Sequence, residues 1–125
     1  MLTSDLDTTR LAIIGPGRLG TAFAYKFGRD NKRVAIYYHD AEVCKAINRD
    51  HLNPLHLTED LAGRLGGMEK VPRLADKVYA TNDLEHIVEN NDFIILTITM
   101  NRLPEFLNYL KPMIDKKAGD TCLIS

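Results

Sequence analysis

The sequence predicts a single α/β domain built on a doubly wound parallel sheet. Short apolar runs alternate with amphipathic stretches along the 125 residues, which is typical of parallel strands joined by helices. A Gly-x-Gly-x-x-Gly turn, from Gly15 to Gly20, separates the first apolar run from the first helical pattern. Asp40 follows the second apolar run, twenty residues beyond Gly20 (40 − 20). These features together are typical of a Rossmann-type fold.

The first third of the chain predicts two strand–helix units. Arg10–Ile14 is an almost continuous apolar run, which suits a strand that is covered on both faces. A helix is predicted over Gly17–Phe27, and Gly28 is interpreted as the residue that ends it. A second strand is predicted over Arg33–Tyr38 and a second helix over Ala41–Asn48.

The segment from residue 51 to residue 76 is the least regular part of the sequence. Asn53-Pro54, Gly66-Gly67 and Pro72 each interrupt the chain. The residues Thr58-Glu59-Asp60-Leu61-Ala62 are predicted to open a short helix between them. A long connection of this kind in a doubly wound fold is typically functional or mobile.

The last third predicts the remaining strands and helices. Strands are predicted over Lys77–Ala80, Asp92–Thr99 and Thr121–Ile124, with a short helix over Asp83–Glu89 after the first of them. Between the last two strands lies a long amphipathic helix, beginning at Leu103, whose apolar stripe is interpreted as core. The stripe consists of Leu103, Phe106, Leu107, Leu110, Met113 and Ile114.

Composition limits the classes of function. The net charge is −1 and lysines and arginines do not cluster, so we expect no nucleic-acid partner. No apolar run approaches the length of a membrane span, and the first residues do not resemble a signal peptide, so a soluble, cytoplasmic protein is expected. Cys44 and Cys122 fit no metal-ligand spacing and are expected to be reduced, buried thiols. Residues 1–9 are interpreted as a polar leader, and residues 10–125 as the dinucleotide-binding domain.

The glycine turn predicts a binding site for a nucleotide phosphate. Gly15 permits a tight turn, Gly17 admits a pyrophosphate close to the backbone, and Gly20 lets the helix pack closely. The amino end of the helix attracts an anion through its free N–H groups and its dipole. Arg18 and Leu19 lie inside the turn and are candidate contacts, although a solvated surface role explains Arg18 equally well. A purely structural glycine turn is the alternative.

The end of the second predicted strand bears on which dinucleotide binds. An acidic residue at this place accepts hydrogen bonds from the adenosine ribose hydroxyls and repels a 2′-phosphate. Asp40 therefore favours NAD, although capping of the next helix would also explain it. A protonated His39 would accept a phosphate, so NADP stays open.

Several segments together resemble the nicotinamide-dependent glycerol-3-phosphate dehydrogenases. The turn continues as Gly20-Thr21-Ala22-Phe23-Ala24, similar to the Gly-Thr-Ala-x-Ala of that family. The second strand, residues 34–43, and the segment Asn53-Pro54-Leu55-His56-Leu57 are similar to family segments. Ala80-Thr81-Asn82-Asp83-Leu84 matches the Ala-Thr-x-Asp-Leu motif. The resemblance covers nearly the whole chain.

The resemblance implies further cofactor contacts, some at positions where this chain departs from the family. His39 stands where the family has a cofactor-contacting arginine, and His56 stands where it has a tyrosine. Arg18 and Leu19 replace the aromatic or serine residues of the family turn, and Ile98-Thr99-Met100 replaces Val-Pro-Ser. The residues implied to bind the cofactor are Gly15, Gly17, Arg18, Leu19, Gly20, His39, Asp40 and His56.

The resemblance implies a cofactor-binding domain of a larger enzyme. The complete enzyme would transfer hydride between NAD(P)H and dihydroxyacetone phosphate, and the phosphorylated substrate would bind only there. This chain lacks the helical substrate domain and its catalytic lysine, so it is expected to be inactive alone, with no catalytic residue and no metal. A Rossmann domain of a ketopantoate- or prephenate-type reductase and a stand-alone nucleotide-sensing module are the alternatives. A homo-oligomer is compatible with the sequence.

Overall fold

Five parallel strands form the sheet at the centre of the fold. A computed structural model of the chain describes residues 10–15, 17–30, 33–54, 63–67, 71, 73–99, 101–117 and 119–124. The strands are β1 (Arg10–Ile14), β2 (Arg33–Tyr37), β3 (Val78–Thr81), β4 (Phe93–Leu96) and β5 (Cys122–Ile124). Their order across the sheet is β3-β2-β1-β4-β5, and every neighbouring pair is parallel. The chain builds outward from β1 to one edge and then returns to build the other, which confirms the doubly wound Rossmann-type fold.

In the part of the chain that the structure describes, the strands are connected by α1 (Arg18–Arg29), α2 (Ala41–Asp50), α3 (Leu84–Asn90) and α4 (Leu103–Lys116). Aspartate side chains cap two of them. Asp40 accepts a hydrogen bond from the backbone N–H of Glu42 at 2.9 Å, and Asp83 accepts one from the N–H of His86 at 3.1 Å. An N-cap of this kind stabilises a helix by about 1 kcal/mol.

Helices cover both faces of the sheet, and the alternation of side chains along β1 separates two core clusters. Leu11 and Ile13 face α1 and α2, where they contact buried residues such as Ile47. Ala12 and Ile14 point to the opposite face and pack with α3 and α4. A strand that is buried on both faces reads as a continuous apolar run, as this one does.

The prediction that Gly28 ends the first helix is wrong. Helix α1 continues through Gly28 to Arg29, and Asp30 is its C-terminal cap. A Cβ atom at Gly28 would lie 2.7 Å from Cγ2 of Val78 and 3.2 Å from Cβ of Ala75. The residue is therefore a glycine because α1 passes close to the start of β3, and this contact is invisible in the local sequence.

The fourth strand is shorter than predicted. It ends at Leu96 rather than Thr99, because Leu96 pairs with Ile14 and β1 ends there. The chain beyond Leu96 runs past the end of its neighbour. The residues that follow are consequently free to turn over the carboxyl edge of the sheet.

The apolar stripe of α4 belongs to the core, as predicted, but to different depths. Leu110 is fully buried, whereas its neighbours on the stripe are half-buried against the cluster formed by β1, α3 and β4.

The two cysteines were expected to be buried thiols, and this holds only for Cys44, because Cys122 is exposed. The reason is that β5 lies at the edge of the sheet, where all three of its residues are exposed.

The irregular segment after α2 forms hydrogen bonds both with α1 and within itself. Asn53 is buried, and its amide donates a hydrogen bond to the hydroxyl of Thr21 in α1 at 2.9 Å. The carbonyl of His51 accepts a hydrogen bond from the N–H of Leu74 at 2.7 Å. Residues 58–62, where a short helix is predicted to begin, lie outside the described residues, as do residues 1–9. Among the helices that are described, none is long and apolar enough to cross a membrane.

Candidate functional site

The glycine turn opens into a cleft of about 650 Å³ at the carboxyl edge of the sheet. Gly15 and Gly17 line one side, the end of β2 lines a second, and residues after β4 line a third. Chain topology places the cleft here, because β2 leaves β1 on one side and β4 joins it on the other. The crevice at such a reversal of strand order is where ligands bind in open α/β sheets.

Two of the three glycines of the turn are required by close contacts. Gly15 has φ +107°, a conformation that favours glycine, and a Cβ there would lie 2.7 Å from Oγ1 of Thr97. A Cβ at Gly20 would lie only 2.0 Å from the carbonyl oxygen of Gly15. These two glycines let α1 begin directly against the end of β1, which confirms the expected packing role of Gly20.

Gly17 differs from both of them. It is the N-cap of α1, with ordinary extended backbone angles and no side-chain cap. A Cβ at Gly17 would meet no atom within 4 Å, so nothing within the described part of the chain requires glycine here. The first turn of α1 contains no acidic residue, so the positive end of the helix dipole faces the cleft without a compensating charge.

The two residues after Gly17 begin helix α1. Leu19 is 58% exposed in the first turn of α1. Arg18 is the first residue of α1, but its side chain lies outside the described structure. His56 also lies outside the described residues.

The end of β2 brings an aromatic pair to the cleft. The rings of Tyr38 and His39 lie with their centroids 4.4 Å apart and inclined at 45°. Cys44 donates a hydrogen bond from its thiol to the carbonyl of Tyr38 at 3.5 Å. Burial raises the pKa of the Cys44 thiol, so it stays protonated and remains a donor at neutral pH.

Asp40 lies next to this pair and caps α2. One of its carboxylate oxygens, Oδ1, accepts the hydrogen bond from Glu42. The residue is exposed, and Oδ2 forms no hydrogen bond with the residues that the structure describes. The carboxylate thus caps the helix while leaving an acceptor oxygen exposed to solvent beside β2.

Sequence reasoning missed the residues that the end of β4 and the start of α4 contribute to the cleft. Thr97 contacts the glycine turn, with its hydroxyl 2.9 Å from the carbonyl of Ile14 and 2.8 Å from that of Gly15. Arg102 and Glu105 add a charge of each sign to the cleft wall. The sequence did contain a signal for this contribution, since Thr97 is a polar residue directly after a buried strand.

Two aromatic residues cover the floor between β2 and α4. Tyr37 and Phe106 have ring centroids 6.4 Å apart. Burial raises the pKa of the Tyr37 hydroxyl, which is therefore neutral at physiological pH. The cleft combines an apolar floor, a few polar groups and one helix amino end, which suits a ligand with a flat ring and an anionic group. In the described residues, no group of three histidine, cysteine or acidic side chains is arranged to hold a metal ion.

Comparison with known proteins links this architecture to one family. Residues 10–124 match the family model of the NAD-dependent glycerol-3-phosphate dehydrogenase N-terminus. A glycerol-3-phosphate dehydrogenase [NAD(P)+] from Treponema denticola is 33% identical over 87 residues, which are 70% of this chain and 21% of that protein.

Solved structures show the same fold. The chain superimposes on glycerol-3-phosphate dehydrogenase from Coxiella burnetii with a TM-score of 0.72 and 18% identity, over 93% of this chain and 31% of that one. A protein described as a ketopantoate reductase from Ralstonia solanacearum gives a TM-score of 0.59 and 22% identity, over 92% and 30% of the two chains. This second likeness shows a related fold only. The chain spans between a fifth and a third of the length of these relatives.

Proposed function

The chain belongs to the family of NAD-dependent glycerol-3-phosphate dehydrogenases, whose N-terminal region it matches, and we propose that it binds NAD(P) in the cleft at the glycine turn. The family match confirms the predicted family, and with it a nicotinamide dinucleotide as the cofactor of that family. The observation that carries the proposal is the open space at Gly17. Close contacts explain the other two glycines of the turn, whereas Gly17 leaves open space at the amino end of α1 that a phosphate group would fill.

The pyrophosphate binds at the amino end of α1 in this proposal. The free N–H groups of the first helical turn donate to its oxygens, and the absence of an acidic residue in that turn keeps the site attractive to an anion. The side chains of Arg18 and Leu19 flank this position in sequence. Their contacts with the cofactor, and that of His56, stay predictions.

NAD is the preferred cofactor in this proposal. The exposed oxygen of Asp40 is available to the ribose hydroxyls, and its negative charge repels a 2′-phosphate. His39 sits between Asp40 and the aromatic ring of Tyr38, where it offers a flat surface to the adenosine. Asp40 keeps its capping bond to α2 throughout, so helix and ribose are held by different oxygens of one carboxylate.

For the complete enzyme we propose transfer of hydride between NAD(P)H and dihydroxyacetone phosphate. The dinucleotide supplies the hydride when it is bound. This chain holds and orients it, because the glycine turn fixes the pyrophosphate and the apolar floor formed by Tyr37 and Phe106 excludes water beside it. A localisation in the cytoplasm agrees with this function and stays a prediction.

The experiment is a calorimetric titration with NAD⁺ and, separately, with NADP⁺ at one salt concentration, using the parent chain and two variants. Gly17→Val fills the open space at the turn and is expected to abolish binding while the chain stays folded, with a loss of about 1 kcal/mol in the free energy of unfolding because valine is a poor N-cap residue. Gly63→Val is the matched control, because a Cβ at Gly63 also meets no atom within 4 Å and the residue is exposed. Equal affinity of Gly17→Val and the parent would show that the turn does not bind the phosphates.

A further inference from the structure

A second pocket, of about 380 Å³, lies at the end of the sheet opposite to the glycine turn. Arg10 and Arg33 are the first residues of β1 and β2, and they pair in register. Side chains at paired positions of parallel strands point to the same face, and the strands are about 4.8 Å apart. Both arginines therefore lie on the face that α3 covers, at the point where α3 ends.

The pocket exists because a small residue lies on this face between larger ones. Ala35 is two residues beyond Arg33 on the same face and is buried, so the space above it is not filled by its own side chain. Tyr79 pairs with Ala35 in register from β3 and forms one wall. His86 and Asn90, one helical turn apart on α3, form the opposite wall.

The hydrogen bonds of His86 determine what the wall offers to a ligand. The side chain of Asn90 contacts the backbone carbonyl of His86 at 2.9 Å and the ring atom Nδ1 at 3.2 Å. A carbonyl only accepts hydrogen bonds, so the contacting atom is the amide nitrogen of Asn90. Nδ1 of His86 then accepts a hydrogen bond from the second N–H of the same amide. Because Nδ1 accepts, the ring carries its proton on Nε2, which donates to the hydroxyl oxygen of Tyr79 at 3.0 Å. The hydroxyl proton of Tyr79 is left free to donate to a third group.

The charge of the pocket is positive. Arg10 uses Nε and one Nη atom on the carboxylate of Asp92, at 3.2 and 2.9 Å, so this pair is close to neutral. Arg33 forms no ion pair with any residue in the described part of the chain, and no aspartate or glutamate is among the described residues that line the pocket. Burial raises the pKa of the Tyr79 hydroxyl, and the nearby charge of Arg33 opposes this rise by a smaller amount.

We propose that this pocket is an oxyanion site, in which Arg33 and the hydroxyl of Tyr79 bind a ligand of the size of inorganic phosphate. Arg33 supplies the positive charge, and the hydroxyl of Tyr79 supplies a neutral hydrogen-bond donor. His86 donates to the oxygen of that hydroxyl, so the hydroxyl proton is directed towards the ligand. The site is separate from the cofactor cleft, which lies at the other end of the same strands. An anion bound here would bridge β2, β3 and the end of α3.

The test is a titration of the ¹⁵N-labelled chain with inorganic phosphate at constant ionic strength, with saturating NAD⁺ present to occupy the cofactor cleft. Saturable shifts are expected at the backbone of Arg33 and Tyr79 and at the ring nitrogens of His86. Arg33→Gln is expected to weaken this binding by about tenfold, as loss of a charge-assisted hydrogen bond does. Tyr79→Phe is expected to weaken it by a smaller factor.

Arg64→Gln is the matched control, because it removes the same charge from an exposed residue that does not line the pocket. Unchanged affinity in Arg33→Gln, or shifts that rise linearly with phosphate, would overturn the proposal. If Arg33→Gln unfolds, Arg33→Lys replaces it and is expected to retain binding with reduced affinity, and equal affinity would again overturn the proposal. The titration is repeated without NAD⁺. If phosphate then shifts only the resonances of the glycine turn, the oxyanion site is excluded and the cofactor site is supported, so the two proposals fail separately.

Discussion

The hydroxyl of Thr97 lies 2.8 Å from the carbonyl oxygen of Gly15 and 2.9 Å from that of Ile14. Its backbone N–H also donates to the carbonyl of Ile14 at 3.0 Å. The first loop residue after β4 thus holds the exit of β1, which is where the glycine turn begins. A side chain from a distant part of the sequence thus helps to hold the peptide groups at the exit of β1 that face the cleft.

Thr97→Val keeps the shape of this side chain and removes the hydroxyl. We expect a loss of about 1 kcal/mol in the free energy of unfolding, because the carbonyl of Gly15 loses its donor. NAD⁺ affinity is expected to fall as well, since the turn is no longer held in one orientation. Urea unfolding and calorimetry measure the two effects. Thr97→Ser retains the hydroxyl and should bind NAD⁺ as the parent does, and equal weakening of both variants would exclude a role for the hydroxyl.

Two substitutions separate the two roles of Asp40. Asparagine caps helices as well as aspartate does, so Asp40→Asn should leave the free energy of unfolding within about 0.5 kcal/mol of the parent. It removes the negative charge, so the ratio of NADP⁺ to NAD⁺ affinity should rise. Asp40→Ala should raise the same ratio and also cost about 1 kcal/mol of stability. An unchanged ratio in both variants would reduce Asp40 to a helix cap.

Gly28→Ala tests the contact between α1 and the start of β3. Alanine favours the helix by about 1 kcal/mol, whereas forcing a methyl group into a filled space costs about 1–3 kcal/mol. We expect a net loss of stability, because the new Cβ would lie 2.7 Å from Cγ2 of Val78. In a Val78→Ala background the same substitution should be neutral or stabilising. Equal effects of Gly28→Ala in the two backgrounds, measured by urea unfolding, would contradict this explanation.

Stability in acid should depend on Asp92. The hydrogen bond from Arg10, with a smaller effect of its charge, lowers the pKa of the Asp92 carboxyl. The stabilisation is therefore complete above the ordinary aspartate pKa of about 3.9 and is lost as the pH falls through the lower value in the folded chain. Both side chains are over 40% exposed, so we expect less than about 1 kcal/mol, decreasing with salt. Asp92→Asn should flatten this part of the pH profile, and an unaltered profile would show that other carboxylates cause it.

Local patterns were sufficient for the fold class and for placing the glycine turn between the first strand and the first helix. The apolar run from Arg10 to Ile14 and the amphipathic stripe around Leu110 each reflect burial imposed by their own element. The glycine spacing and the capping of α2 by Asp40 are also local, because every atom involved lies within a few residues. Features of this kind depend on consecutive residues, so the sequence alone predicts them.

The sequence by itself determined a doubly wound sheet and, at the start of its first helix, a glycine turn of the kind found in dinucleotide-binding domains. Only the tertiary structure decided that Gly28 is a contact with β3, that Thr97 holds the turn, and that Arg33 and Tyr79 share a pocket. These relationships join residues far apart in the chain, and they depend on strand order and register. A residue's neighbours across a sheet are set by how the whole chain packs, and for that reason no local pattern predicts them.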